Sequence, residues 1–214
     1  MSNTCADDFG GYGATAIDSL STAIIFGNED AVLQILKHVA TVDFAVVKGG
    51  TEIQVFEVII RHLAAMISAV DLLNGPASGM VKARELLGPL RKQMVTLGDA
   101  LACAFDTPTG VPHDWVDPAA CKAGQGTVST VAGVGTVILE FGRLSNLTGD
   151  GKYVAMAHKA EQYPLAPTPT SGEPFPGLLG SYVSISDGAI FGSKGSWGAF
   201  ADCKLTFRAS MLLR

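Results

Sequence analysis

From residue 52 to residue 73 the chain runs without glycine or proline, and apolar side chains fall on nearly every side of the helix that such a run makes. A helix that is apolar all round is a buried one, so the other elements must pack around this stretch. Yet Glu57 and Arg61 stand four residues apart inside it and project from the same face. An acid is seldom fully buried unless something holds it there. One reading is an internal ion pair on a core helix. The other is a carboxyl group tuned by burial for proton transfer, with Arg61 beside it to hold or orient a ligand.

Composition narrows the setting of that helix. Hydrophobic residues make up 48% of the 214 and charged ones 16%, too apolar for a disordered chain. No apolar run has the uninterrupted length needed to cross a bilayer, so buried helices account for the hydropathy. A net charge of −5 and the lack of any Lys/Arg cluster argue against nucleic acid as a partner. Cys5, Cys103, Cys121 and Cys203 form no CxxC and no zinc-like spacing. They read as small buried hydrophobes, with a disulfide as the alternative whose pair the spacing does not name. Asn146-Leu147-Thr148 is a glycosylation sequon, meaningful only in the secretory pathway. The first eight residues lack a basic region followed by an apolar core, so no signal peptide is expected in them.

In chain order, residues 14–26 read as an apolar helix carrying one acid, Asp18. Asn28-Glu29-Asp30 opens a second helix with a cap residue and first-turn acids, and its apolar stripe predicts one solvent-facing side. Residues 42–50 connect to the central helix, which Asn74-Gly75-Pro76 stops. Residues 80–103 are helical, with Gly88-Pro89 marking a kink or break. Residues 106–112 are turn chemistry, and 112–126 read as a long loop. Residues 127–147 predict another apolar helix with one internal acid, Glu140, followed by an amphipathic helix over 150–163. Five prolines make 164–176 an extended linker. Tyr182-Val183-Ser184-Ile185 predicts a small hairpin within 177–196, and 197–202 opens one more helix. Buried helices with single acids (Asp18, Glu57, Glu140) thus alternate with amphipathic ones. Concentric helical hairpins produce that pattern: an all-α fold with an inner ring around an acidic pocket suited to polyhydroxylated ligands.

Five segments carry a resemblance: 16–23 around Asp18, Val55-Phe56-Glu57-Val58-Ile59-Ile60-Arg61, 104–112 with Thr107-Pro108-Thr109-Gly110, 139–150 around Glu140, and Gly198-Ala199-Phe200-Ala201-Asp202. In this order and spacing they resemble the class I α-1,2-mannosidases of glycoside hydrolase family 47, most closely the secreted fungal type. The resemblance covers residues 7–202 and implies an (α/α)7 barrel, here in part, with a bound calcium ion. It also implies inverting hydrolysis of terminal α-1,2-linked mannose from high-mannose N-glycans. Carried over by position, Glu57 is the proton donor and Asp202 the second catalytic carboxylate. Arg61 contacts the substrate, and Asp18 and Glu140 line the sugar cavity. Inverting hydrolysis needs one protonated acid at the leaving oxygen and one carboxylate activating water on the opposite face. For Asp18 and Glu140 the alternative is a structural acid capping or pairing inside the barrel, and for Asp202 a plain N-terminal helix acid.

The resemblance fails at the ends. After Asp202 the family's Ser-Tyr-Tyr-Glu-Tyr run gives way to a basic, non-matching tail over 203–214, as a shifted reading frame or retained intron would produce. A further catalytic glutamate, several sugar-contacting acids, the calcium-binding threonine and the usual disulfide belong to the family's other half, so no metal ligand is assigned in this chain. Half a toroid leaves inner apolar faces uncovered, and the expectation is low stability or need of a partner. The enzymatic reading is therefore of a truncated chain. A non-catalytic mannose-binding fragment and the product of a truncated gene model are the alternatives. By family the setting is the secretory pathway, as a resident of the endoplasmic reticulum or Golgi or as a secreted protein. Oligomeric state is not indicated.

Overall fold

A computed structural model describes residues 7–167 and 179–193. Asp202, the 203–214 tail and most of the proline-rich linker lie outside them. Gly13 starts α1 (Ala14–Asp18) from a left-handed conformation, φ 81°, and a Cβ there would meet His38 Nε2 at 2.5 Å. One residue later α2 (Leu20–Ile25) continues the same run. The expected cap of α3 (Glu29–Thr41) is in place, Ala31 N donating to Asn28 Oδ1 at 3.1 Å.

The central stretch begins differently from a single helix. Ile53–Gln54 is a strand, β1, and the helix starts at α4 (Val55–Val58). A π-helical turn, Ile59–Leu63, intervenes before α5 (Ala64–Asn74). Such insertions concentrate at functional sites. Burial is as expected: Val55, Val58, Ile59, His62, Leu63, Met66, Ala69, Val70 and Leu73 are all buried.

The break near Gly88-Pro89 falls earlier, at Glu85-Leu86, between α6 (Val81–Arg84) and α7 (Leu87–Ala102). Pro89 occupies the first turn of α7, where a missing N–H costs no helical bond. A 310 turn, Cys103–Phe105, ends this arm. The segment read as a loop instead holds β2 (Trp115–Asp117) and β3 (Lys122–Ala123). With β1 they form an antiparallel sheet in the order β1-β2-β3, Ile53 opposite Val116. Strands this short carry too little alternation to be read in sequence. Likewise the helix expected from residue 127 begins with β4 (Val128–Thr130), whose Thr130 caps α8 (Val131–Gly135) by accepting from Gly133 N at 2.9 Å. Helix α9 (Val137–Thr148) and α10 (Lys152–Leu165) follow. The anticipated hairpin is β5 (Tyr182–Ser184) and β6 (Ile190–Phe191), which adds to β4 in a second sheet.

Among the described residues, three helical hairpins make the body. Helices α2, α5 and α9 touch in succession as one layer, and α3, α7 and α10 pack behind them as the other. That is the inner and outer arrangement of a partial α/α barrel, and the alternation of apolar and amphipathic helices is its sequence trace. Gly98 lets α7 approach α9 and α10: a Cβ there would stand 2.6 Å from Leu144 Cδ2. Cys103 and Cys121 form a disulfide, which corrects their reading as plain buried hydrophobes. It ties the end of the α7 arm to the β2–β3 turn. Cys5 and Cys203 lie outside the described residues.

Candidate active site

Asp18 ends α1, Glu57 sits in the first turn of α4 and Arg61 in the π-turn, so three elements converge on one guanidinium. Arg61 Nε donates to Glu57 Oε2 at 2.7 Å, and Arg61 Nη1 lies 3.4 Å from Asp18 Oδ2. The Phe9 ring covers the guanidinium at 5.1 Å. Side-chain exposures of 36% for Arg61, 26% for Glu57 and 46% for Asp18 put the cluster at a surface, open to a ligand. The Glu57 carboxylate is therefore half-buried and cation-paired, not sealed in the core. Its helix start is secured twice: Val55 N donates to Asp114 O at 2.8 Å, and Glu57 N to Gln54 Oε1 at 2.6 Å.

Burial tunes a different acid. Glu140 Oε2 is out of contact with solvent and has no hydrogen-bond partner, and burial raises its pKa from 4.5 to about 7. Glu140 lines a cleft of about 310 Å³ between α5 and α9, with Ala64, Ser68, Asp71 and Leu139 among its walls. A carboxyl group that keeps its proton close to neutrality can donate as well as accept a hydrogen bond. Beside the cleft, Arg143 grips Asp71 with two bonds, Nε to Oδ2 at 2.9 Å and Nη2 to Oδ1 at 2.6 Å.

Two features escaped the sequence. His62, next to Arg61, is fully buried with both ring nitrogens unpartnered, and burial lowers its pKa from 6.5 to about 4. It packs edge-on against Tyr12, whose hydroxyl donates to Phe44 O at 2.8 Å. Asp114 accepts from Ser129 Oγ at 3.0 Å, and burial raises its pKa. Neither follows from spacing, because each depends on which loop covers it. Asp202 is outside the described residues, so its place relative to Glu57 is not described. Among the described residues no three His, Cys, Asp or Glu side chains come together as metal ligands. No described residue is therefore assigned to the calcium ion that the resemblance implies, and no chemical step is routed through it.

The described residues thus make a partial α/α barrel with an acid–arginine–acid cluster at its surface and a desolvated carboxyl in the cleft between α5 and α9, and the class of protein they belong to is, by family, the glycoside hydrolases. The profile of glycosyl hydrolase family 47 matches residues 1–207, and the chain belongs to that family. It is similar to the mannosyl-oligosaccharide alpha-1,2-mannosidase of Penicillium citrinum, 45% identical over 202 residues that cover 94% of this chain and 39% of that one. The mannosyl-oligosaccharide alpha-1,2-mannosidase 1B of Aspergillus oryzae is 44% identical over the same shares. The solved alpha-1,2-mannosidase from Trichoderma reesei superposes with a TM-score of 0.91 at 38% identity, over 99% of this chain and 44% of that one. The chain thus spans about two-fifths of the length of the curated relatives it matches.

Proposed function

We propose that this chain carries part of the catalytic apparatus of an inverting α-1,2-mannosidase acting on high-mannose N-glycans. The observation that carries the reading is the Glu57–Arg61 contact at 2.7 Å, held within the family's motif and open to solvent. Glu57 protonates the leaving glycosidic oxygen, directly or through a water. Asp202 takes a proton from the attacking water on the opposite face of the sugar ring. Arg61, which donates to Glu57 at 2.7 Å and reaches Asp18 at 3.4 Å, stands where its remaining N–H groups can meet substrate hydroxyls beside the proton donor. Asp18 and Glu140 meet sugar hydroxyls, Glu140 from the cleft of about 310 Å³ between α5 and α9.

The setting we propose is the secretory pathway. The Cys103–Cys121 disulfide supports it, since such bonds persist in oxidising compartments. No helix among the described residues is long and apolar enough to cross a membrane. A second reading, mannose binding without turnover, draws on the same ion pair, because a carboxyl group and a guanidinium side by side offer sugar hydroxyls both acceptors and donors. Release of free mannose from a high-mannose glycan supports the first reading. Saturable glycan binding without release supports the second.

A further inference from the structure

The acid assigned to proton donation stands on a helix start that depends on a neighbouring hairpin. Helix α4 is four residues long and runs straight into a π-turn, so it has little regular helix of its own to hold it. Two of its first-turn N–H groups are satisfied from the β1–β2 region: Val55 N by Asp114 O, Glu57 N by the Gln54 side chain. Gln54 in turn is fixed by pairing, opposite Trp115 of β2. The position of Glu57 is therefore set by β2.

Strand β2 has three residues and β3 two, and a hairpin of that size is marginal by itself. The turn between them is organised by Asp117 Oδ1, which accepts from Ala119 N and Ala120 N, each at 2.9 Å. It ends at Cys121 with φ 48°, a left-handed conformation that a residue with a side chain rarely keeps unaided. What anchors this turn to the body of the fold is the bond from Cys121 to Cys103, in the 310 turn after α7. At the other end, His113 N donates to Ala104 O at 3.0 Å, so the α7 arm grips both ends of the hairpin. Cys121 is exposed, within reach of a soluble thiol.

We propose that the Cys103–Cys121 disulfide is a redox-sensitive positioning device for Glu57. Through the β2–β3 hairpin it holds the start of α4 in register with Arg61 and Asp18. Opening it frees that turn while the three helical hairpins stay packed. Reduction takes two electrons and two protons from a dithiol, which leaves as its own cyclic disulfide, and gives thiols at Cys103 and Cys121. The link to catalysis rests on the role proposed above for Glu57; the link to helix position does not.

Amide hydrogen exchange on the full chain tests it, oxidised and after dithiothreitol, alongside the Cys103→Ser/Cys121→Ser double variant. The amides of Val55 and Glu57 are expected to exchange at least about tenfold faster once the bond is open, while those of Leu36 in α3 and Leu144 in α9 keep their rates. The double variant is expected to show the fast rates in both buffers. Unchanged rates at Val55 and Glu57 would overturn the proposal, and so would a uniform acceleration across all helices, which marks a general staple. Mannose release is measured in the same samples: a drop in kcat with KM retained is expected on reduction. If the oxidised chain releases none, the catalytic reading fails, while the exchange rates still decide the positioning claim.

Discussion

Arg61 reaches two acids from different helices with one guanidinium: Glu57 at 2.7 Å, four residues back, and Asp18 at 3.4 Å, from a helix 43 positions earlier. Only the planar fork of arginine makes both contacts from one position. Arg61→Lys is therefore expected to lower kcat/KM for mannose release by about tenfold or more, a loss of about 1.4 kcal/mol in transition-state stabilisation. Steady-state kinetics on an α-1,2-linked mannobiose checks this, and a wild-type rate would show that bridging is dispensable.

His62 ties stability to acid pH. Its ring is buried neutral, desolvation outweighing the pull of Asp18 and Asp7, with Arg61 acting in the same direction as burial. The unfolded chain binds the proton first, near pH 6.5, and the folded one only near 4. This stability is fully present above pH 6.5 and is lost as pH falls toward 4, by roughly 3 kcal/mol. In denaturant melts between pH 7 and 4 the wild type should lose stability relative to His62→Phe, by up to that amount. Parallel curves would show that His62 is not the titrating group.

Glu140 has the opposite sign. Its folded pKa, about 7, lies above the unfolded 4.5, so the folded state binds the proton more tightly and loses that advantage as pH rises from 4.5 to 7. Glu140→Gln should match the wild type at pH 4 and be the more stable protein at pH 8, by up to roughly 3 kcal/mol. Thermal melts at the two pH values read this directly. Equal shifts at both would place the Glu140 carboxylate in water.

Close packing of the hairpins rests on Gly98. A methyl group there would press on Leu144 and come within 3.4 Å of the Tyr153 ring, itself packed edge-on against Phe141. Gly98→Ala is expected to destabilise by about 1–3 kcal/mol in urea, despite the better helix propensity of alanine. A stabilised variant would mean that α7 and α9 can move apart freely.

Much of this was legible before the structure. Asn28 announced its helix because a cap residue ahead of two acids has a local physical meaning, and the four-residue spacing of Glu57 and Arg61 fixed their shared face. The layered hairpins followed from which helices were apolar all round. What escaped was non-local. Strands of two or three residues, such as Ile53–Gln54 and Lys122–Ala123, have no period to read. The partner of Cys103 depends on how the 115–123 hairpin folds back. The π-turn at Ile59–Leu63 has no composition of its own. Burial at Glu57 was overestimated because a helix with one wet residue per turn looks much like a sealed one. Glu140, the single acid of the other apolar helix, proved to hold the desolvated carboxyl.

The most direct test of the central claim is mannose release from a high-mannose N-glycan by the wild-type chain and by Glu57→Gln, each shown to be folded by circular dichroism. The account predicts release by the wild type and its loss, by at least about a hundredfold, when the carboxyl that donates the proton becomes an amide. Equal release by both proteins would contradict the assignment of Glu57. Absence of release from a folded wild-type chain would contradict the proposal that these residues turn over substrate.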